Sequence, residues 1–128
     1  MPLLDTCALL WYTLDDKKLS NRAKLECEKI PRSGGSVSTI SIWEIGLKIK
    51  NKKLDINTSI SDYVKRIIRM GTIEIIPVDE NIWIKNLDLD WDHRDPADRT
   101  IVATAILKKL PIITSDKIIS DFYDNVIW

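Results

Sequence analysis

Short apolar runs, separated by amphipathic segments of helical length, constrain this chain more than any other feature of its sequence. Leu3-Leu4, Ser36-Val37-Ser38-Thr39, the β-branched, apolar and therefore buried stretch Thr72–Val78, and Ile112-Ile113-Thr114 are too brief for helices and read as strands. Val126-Ile127-Trp128 adds an edge strand. Between them, Cys7–Leu14 reads as a helix carrying Trp11 and Tyr12, and Ser20 caps a helix over Asn21–Ile30 that Pro31 and the Gly34-Gly35 turn close. Ser41 opens a helix in which Ile42, Ile45, Gly46 and Ile49 form one stripe. Ser59–Met70 turns Ile60, Tyr63, Val64 and Ile67 inward, and Asn81–Leu89 and Asp98–Leu110 are the remaining long helices. Strands and helices that alternate in this way pair the strands in parallel and put helices on both faces. The expected fold is α/β, an α/β/α sandwich around a central, mainly parallel sheet of four to five strands.

A chain of 128 residues suits one domain, 1–128, with a sizeable core and no room for a second. No linker, repeat or low-complexity tract interrupts it. No apolar run is long enough to span a membrane, and Met1-Pro2-Leu3-Leu4-Asp5 lacks the basic start of an export signal. The expected location is therefore the cytoplasm, with Cys7 and Cys27 as reduced thiols. One histidine and two distant cysteines cannot build a zinc site, so any metal here must be held by oxygen. The net charge of zero argues against a general nucleic-acid coat protein. Yet residues 1–70 hold 13 Lys/Arg against 8 Asp/Glu, and residues 71–128 hold 6 against 11. A basic half could meet phosphates and an acidic half supply metal ligands, or both are simply solvated surfaces.

In parallel sheets the site lies beyond the carboxyl ends of the strands, so acids just after strands come first. Asp5 follows the first strand and serves either as a ligand or as the N-cap of the helix after it. Glu44 closes Ser41-Ile42-Trp43-Glu44, which also matches a capping box, as does Ser59-Ile60-Ser61-Asp62 where nothing chemical surrounds it. Asp95 before Pro96 is a strong helix start, and Asp98 then falls in the first turn, at the positive end of the helix dipole. Asp116 ends Ile112-Ile113-Thr114-Ser115-Asp116 and could cap a short helix from Lys117. Two carboxylates about 4 Å apart repel by roughly 4 kcal/mol at an effective dielectric near 20. Four converging on one rim would need protons or a hard divalent cation, Mg²⁺ or Mn²⁺. Such a site can activate water and hold a phosphodiester for in-line attack without Ser, Cys or His.

With these residues assembled, the chain resembles PIN-domain ribonucleases of the VapC type, the toxin half of a toxin–antitoxin pair. The resemblance spans nearly the whole chain. It runs through Leu3-Leu4-Asp5-Thr6 with Ala8-Leu9-Leu10-Trp11, Leu19-Ser20, Val37-Ser38, and Ser41-Ile42-Trp43-Glu44-Ile45 with Lys48. It continues through His93-Arg94-Asp95-Pro96 with Asp98-Arg99, Thr114-Ser115-Asp116 and Val126-Ile127-Trp128. It implies Asp5 and Asp98 as principal Mg²⁺ ligands, with Glu44 and Asp116 completing the cluster directly or through waters. Thr114 and Ser115 would orient those waters, and the Thr6 backbone would shape the pocket. Lys48 would contact substrate phosphate, unless it only pairs with Glu44 one turn away. The resemblance further implies an RNA substrate, a cognate antitoxin lying across the cleft, and a homodimer. Trp11, Tyr12 and Trp43 could line such an apolar surface or pack in the core. Cys7, Ala97 and Ser115 depart from residues common among relatives (His, an aromatic and Ala), but no carboxylate is lost.

Two other readings compete. A haloacid-dehalogenase-type phosphatase would need a second Asp two residues after the first, where this chain has Cys7. A non-catalytic binding module would keep the fold without needing all four acids.

Overall fold

The computed structural model describes residues 1–128. Five strands, β1 (Leu3–Leu4), β2 (Gly35–Ser38), β3 (Ile73–Ile76), β4 (Ile112–Ile113) and β5 (Val126–Ile127), form one sheet in the order β3-β2-β1-β4-β5. Every pairing is parallel. All five carboxyl ends therefore open on the same rim. The helices are α1 (Thr6–Leu14), α2 (Asn21–Glu28), α3 (Ile30–Ser33), α4 (Thr39–Lys50), α5 (Ile60–Met70), α6 (Glu80–Asp88), α7 (Pro96–Lys108) and α8 (Lys117–Phe122). No helix is long and apolar enough to cross a membrane.

The two residues of β1 show how the layers arise. Successive side chains on a strand point to opposite faces. Leu4 enters the core with Ala8, Leu9, Ala23, Ile45, Tyr63 and Ile67, from the helices of the first half of the chain. Leu3 enters the opposite core with Ile82, Ile101, Val102, Ala105 and Ile119, from α6, α7 and α8. The basic and acidic halves of the sequence thus become opposite layers of one sandwich. Helix α7 is buried on nearly every side, from Ala97 through Ala105. Its Thr100 and Thr104 hydroxyls are satisfied by donating to the carbonyls four residues back, at 2.6 and 2.8 Å.

The order of strands reverses at β1, which is bordered by β2 on one side and β4 on the other. Register places Leu4 opposite Val37 and Ile113, so Asp5 emerges between Ser38 and Thr114. This is a topological switch point, where open parallel sheets bind their ligands.

Several sequence expectations shift. Helix α4 begins at Thr39, capped by Ser38, whose hydroxyl accepts from the Ile40 N–H at 3.1 Å. Ser41 is therefore not a cap: it lies inside the helix, fully buried, because it bonds across to α1. Pro31 does not simply end a helix at Ile30, since it occupies the first turn of α3, where a missing N–H costs nothing. The turn is carried by Gly34 alone, at φ +81°, while Gly35 joins β2. The Thr72–Val78 stretch holds a four-residue strand that is not buried throughout, as it lies at the sheet edge with Glu74 exposed. The Asp95, Ser20 and Ser59 caps are observed as expected.

Because Leu4 is wholly buried immediately before Asp5, Leu4→Ala should cost about 2–5 kcal/mol. A fall in the urea midpoint at unchanged slope would show this; a midpoint within error of wild type would contradict the packing described.

Candidate active site

Asp5 leaves β1 and starts α1. One carboxylate oxygen accepts from the Ala8 N–H at 2.8 Å, making it the helix cap, and the Thr114 hydroxyl also bonds to the carboxylate. Even so, the group is only 7% exposed. Burial, reinforced by the charges of Asp98 and Asp116, pushes its pKa up from 3.8 to about 6, against the lowering effect of those two hydrogen bonds.

Thr114 connects two of these acids. Its hydroxyl accepts from the Asp116 N–H at 3.0 Å and reaches Asp5 on the other side. Asp116 in turn caps α8 through the Ile118 N–H at 2.8 Å. Ser115 between them is exposed.

Asp98 stands on the first turn of α7 because Asp95 caps that helix, accepting from the Asp98 N–H at 3.0 Å. Burial pushes the Asp98 pKa up, with Asp95 and Asp116 adding repulsion and a hydrogen bond from His93 opposing them. That bond joins His93 Nε2 to Asp98 Oδ2 at 2.8 Å. Asp5, Asp98 and Asp116, from three separate elements, therefore share one electrostatic neighbourhood.

Glu44 approaches from α4. The buried Thr6 hydroxyl donates to Ser41 Oγ at 2.9 Å and pins α4 to the start of α1, one turn before Glu44. The Cys7 thiol reports what gathers here. Burial raises its pKa, Asp5, Glu44 and Asp98 raise it further, and Lys48 lowers it. No Glu44–Lys48 ion pair forms. Both side chains instead line a groove of about 270 Å³ between α4 and the start of α7, with Trp43, Leu47, Asn51 and Asp95. Trp43 is 55% exposed there, while Trp11 and Tyr12 pack against the core.

No three His, Cys, Asp or Glu side chains close into a ready chelating shell. The donor set is nonetheless one for a hard cation: carboxylates and hydroxyls, with no lysine or arginine paired to Asp5, Asp98 or Asp116. Mg²⁺ keeps several of its waters and takes only one or two carboxylates directly, so an open arrangement of this kind suits it.

Sequence reasoning missed His93 and Arg99 as parts of the site. His93 is the lone histidine and opens the run His93-Arg94-Asp95-Pro96, but only the bend of the following loop brings it back onto Asp98. The role of Arg99 gives no signal in the sequence, since all but one of its hydrogen bonds go to main-chain carbonyls.

The PIN-domain family model matches residues 3–125. No curated protein matches the chain. Among solved structures, a toxin–antitoxin complex from Klebsiella pneumoniae aligns at TM-score 0.67 and 21% identity, over 100% of this chain and 97% of that one. FitAcB from Neisseria gonorrhoeae aligns at 0.67 and 22% identity, over 98% and 96%. VapC20 from Mycobacterium tuberculosis, described as a toxin cleaving the sarcin–ricin loop, aligns at 0.65 and 16% identity, over 94% of each chain. At these identities the three structures establish a shared fold.

A raised carboxyl pKa means that the fold prefers the protonated acid. Asp5 thus favours folding below its unfolded value of 3.8, and this contribution is lost as pH rises through about 6. At neutral pH the loss is about 3 kcal/mol. Asp5→Asn keeps a cap and removes the charge, so in EDTA at pH 7.5 it should be at least as stable as wild type. That advantage should vanish by about pH 4. Urea titrations at the two pH values check this, and clear destabilisation at pH 7.5 would contradict it.

Proposed function

As the chain belongs to the PIN-domain family, we propose that it is a divalent-metal-dependent endoribonuclease and the toxin of a toxin–antitoxin pair. The observation that carries this reading is that Asp5, at the sheet's switch point, feels the charges of Asp98 and Asp116, with no lysine or arginine paired to any of the three. The Klebsiella structure and VapC20 support it, because that fold belongs to a toxin–antitoxin complex in the first and to a toxin cleaving the sarcin–ricin loop in the second.

In this reading Asp5 and Asp98 are the main ligands of Mg²⁺, for which Mn²⁺ can substitute, and Glu44 and Asp116 complete the set directly or through waters. When bound, such an ion activates water and offsets the charge that develops on a phosphodiester during hydrolysis. The chain's own groups prepare that chemistry. Thr114 holds Asp5 and the Asp116 backbone in fixed relation, Ser115 offers an exposed hydroxyl beside them, and Thr6 ties α1 to α4. Lys48 stands free of any acid in the adjoining groove, which suits contact with substrate phosphate. The further partners in this reading are RNA, a cognate antitoxin and a second copy of the chain, all in the cytoplasm.

With Mg²⁺ or Mn²⁺, wild type should cleave RNA, and Asp5→Asn and Asp98→Asn should each lose on the order of 100-fold or more. Equal cleavage by all three proteins would reveal a contaminating nuclease and remove the assignment. Mn²⁺ at about 100 times its Kd should stabilise wild type by about 2.7 kcal/mol, and Asp98→Asn hardly at all, in a melting experiment. Expression alone should arrest growth, with relief from a small protein encoded beside it; harmless expression of active enzyme would count against the toxin role.

A further inference from the structure

Residues 89–95 connect α6 to α7 without regular secondary structure, yet they are among the most heavily tied segments of the molecule. The guanidinium of Arg99 donates from Nη1 to the carbonyls of Trp91 (2.6 Å) and His93 (3.0 Å). From Nη2 it donates to the carbonyls of Asn86 (2.6 Å) and Leu89 (3.3 Å), and from Nε to Asn86 Oδ1 (3.3 Å). Asn86 is itself fixed, its amide donating to Thr100 Oγ1 at 3.0 Å. One planar fork thus closes the whole turn, a task that the single ammonium of lysine cannot perform. The Trp91 ring is stacked on Phe122 of α8, centroids 4.5 Å apart and planes 9° from parallel. The His93 ring also packs on Trp91, centroids 4.9 Å apart and planes tilted by 48°.

This scaffold fixes His93 at its carbonyl and at its ring, leaving Nε2 aimed at one place, Oδ2 of Asp98. The other oxygen, Oδ1, accepts no hydrogen bond from the protein and is not sealed from solvent. Arg99 is next to Asp98 in sequence but gives its donors to carbonyls and not to the carboxylate. The chain thereby orients Asp98 without setting a permanent positive charge on it, since imidazole can donate this bond as its neutral tautomer.

We propose that His93 is a positioning residue for Asp98, and that the loop closed by Arg99 holds His93 in place so that Asp98 presents Oδ1 to a divalent cation. This rests on Asp98 being a metal ligand, as argued above. Hydrogen-bonded partners of ligating carboxylates commonly account for 10–100-fold in metal affinity.

The test compares His93→Phe, which keeps a ring against Trp91 but no donor, with His93→Gln, which keeps a donor. Mn²⁺ dissociation constants come from calorimetry and melting temperatures from scans in EDTA. His93→Phe should bind Mn²⁺ about 10–100-fold more weakly than wild type with little change in EDTA melting, and His93→Gln should recover most of the loss. Arg99→Lys should weaken Mn²⁺ binding in the wild-type background but add little to His93→Phe, because both act through one contact. Wild-type affinity in His93→Phe, or equal weakness in His93→Gln, would overturn the proposal while leaving the nuclease reading intact. Failure of wild type itself to take up Mn²⁺ would overturn both.

Discussion

A carboxylate buried at the end of the central strand is the constraint around which this molecule is arranged. Asp5 lies where β1, hemmed in by β2 and β4, runs out of partners. An ionised acid in that position is costly unless something compensates it. The chain supplies a backbone N–H from Ala8 and a hydroxyl from Thr114, but it also brings Asp98 and Asp116 near, and their charges undo part of the gain. The pKa near 6 records the deficit. A fold selected only for stability would place an asparagine or a lysine partner here.

Helix capping and chemistry turn out to be compatible roles for the same atoms. Asp5, Asp95 and Asp116 each give one oxygen to a helix N-terminus, and for Asp5 and Asp116 the cap lies at the sheet's carboxyl rim because β1 and β4 lead directly into α1 and α8 there. A cap takes up part of a carboxylate's accepting capacity and leaves the rest available. The hydrogen bond then does for the site what it does for the helix: it fixes the direction of the side chain.

The layered core explains how distant residues arrive together. The basic first half and acidic second half face away from each other across the sheet, and they meet where α4 approaches α7 beside the groove of Glu44, Lys48 and Asp95. Lysine and carboxylate stand at one edge without neutralising each other. A polyanionic substrate and a cation could each find a complementary group there.

The alternation of short apolar runs with helical segments determined the parallel α/β sandwich by itself, because strand pairing and helix burial follow from hydrophobic period. The placing of Asp5, Asp98 and Asp116 on one rim was legible for the same reason, since strand ends and helix starts lie together there in such a sheet. Local pattern misled at Ser41, whose capping box is overridden by a buried bond to Thr6, and at the 72–78 run, whose edge position no local signal reveals. Only the tertiary structure decided that Glu44 keeps apart from Lys48, that His93 turns back onto Asp98, and that Arg99 binds main-chain carbonyls. Those outcomes depend on the path of a loop between two packed helices, and backbone carbonyls, identical at every residue, leave no mark in a sequence.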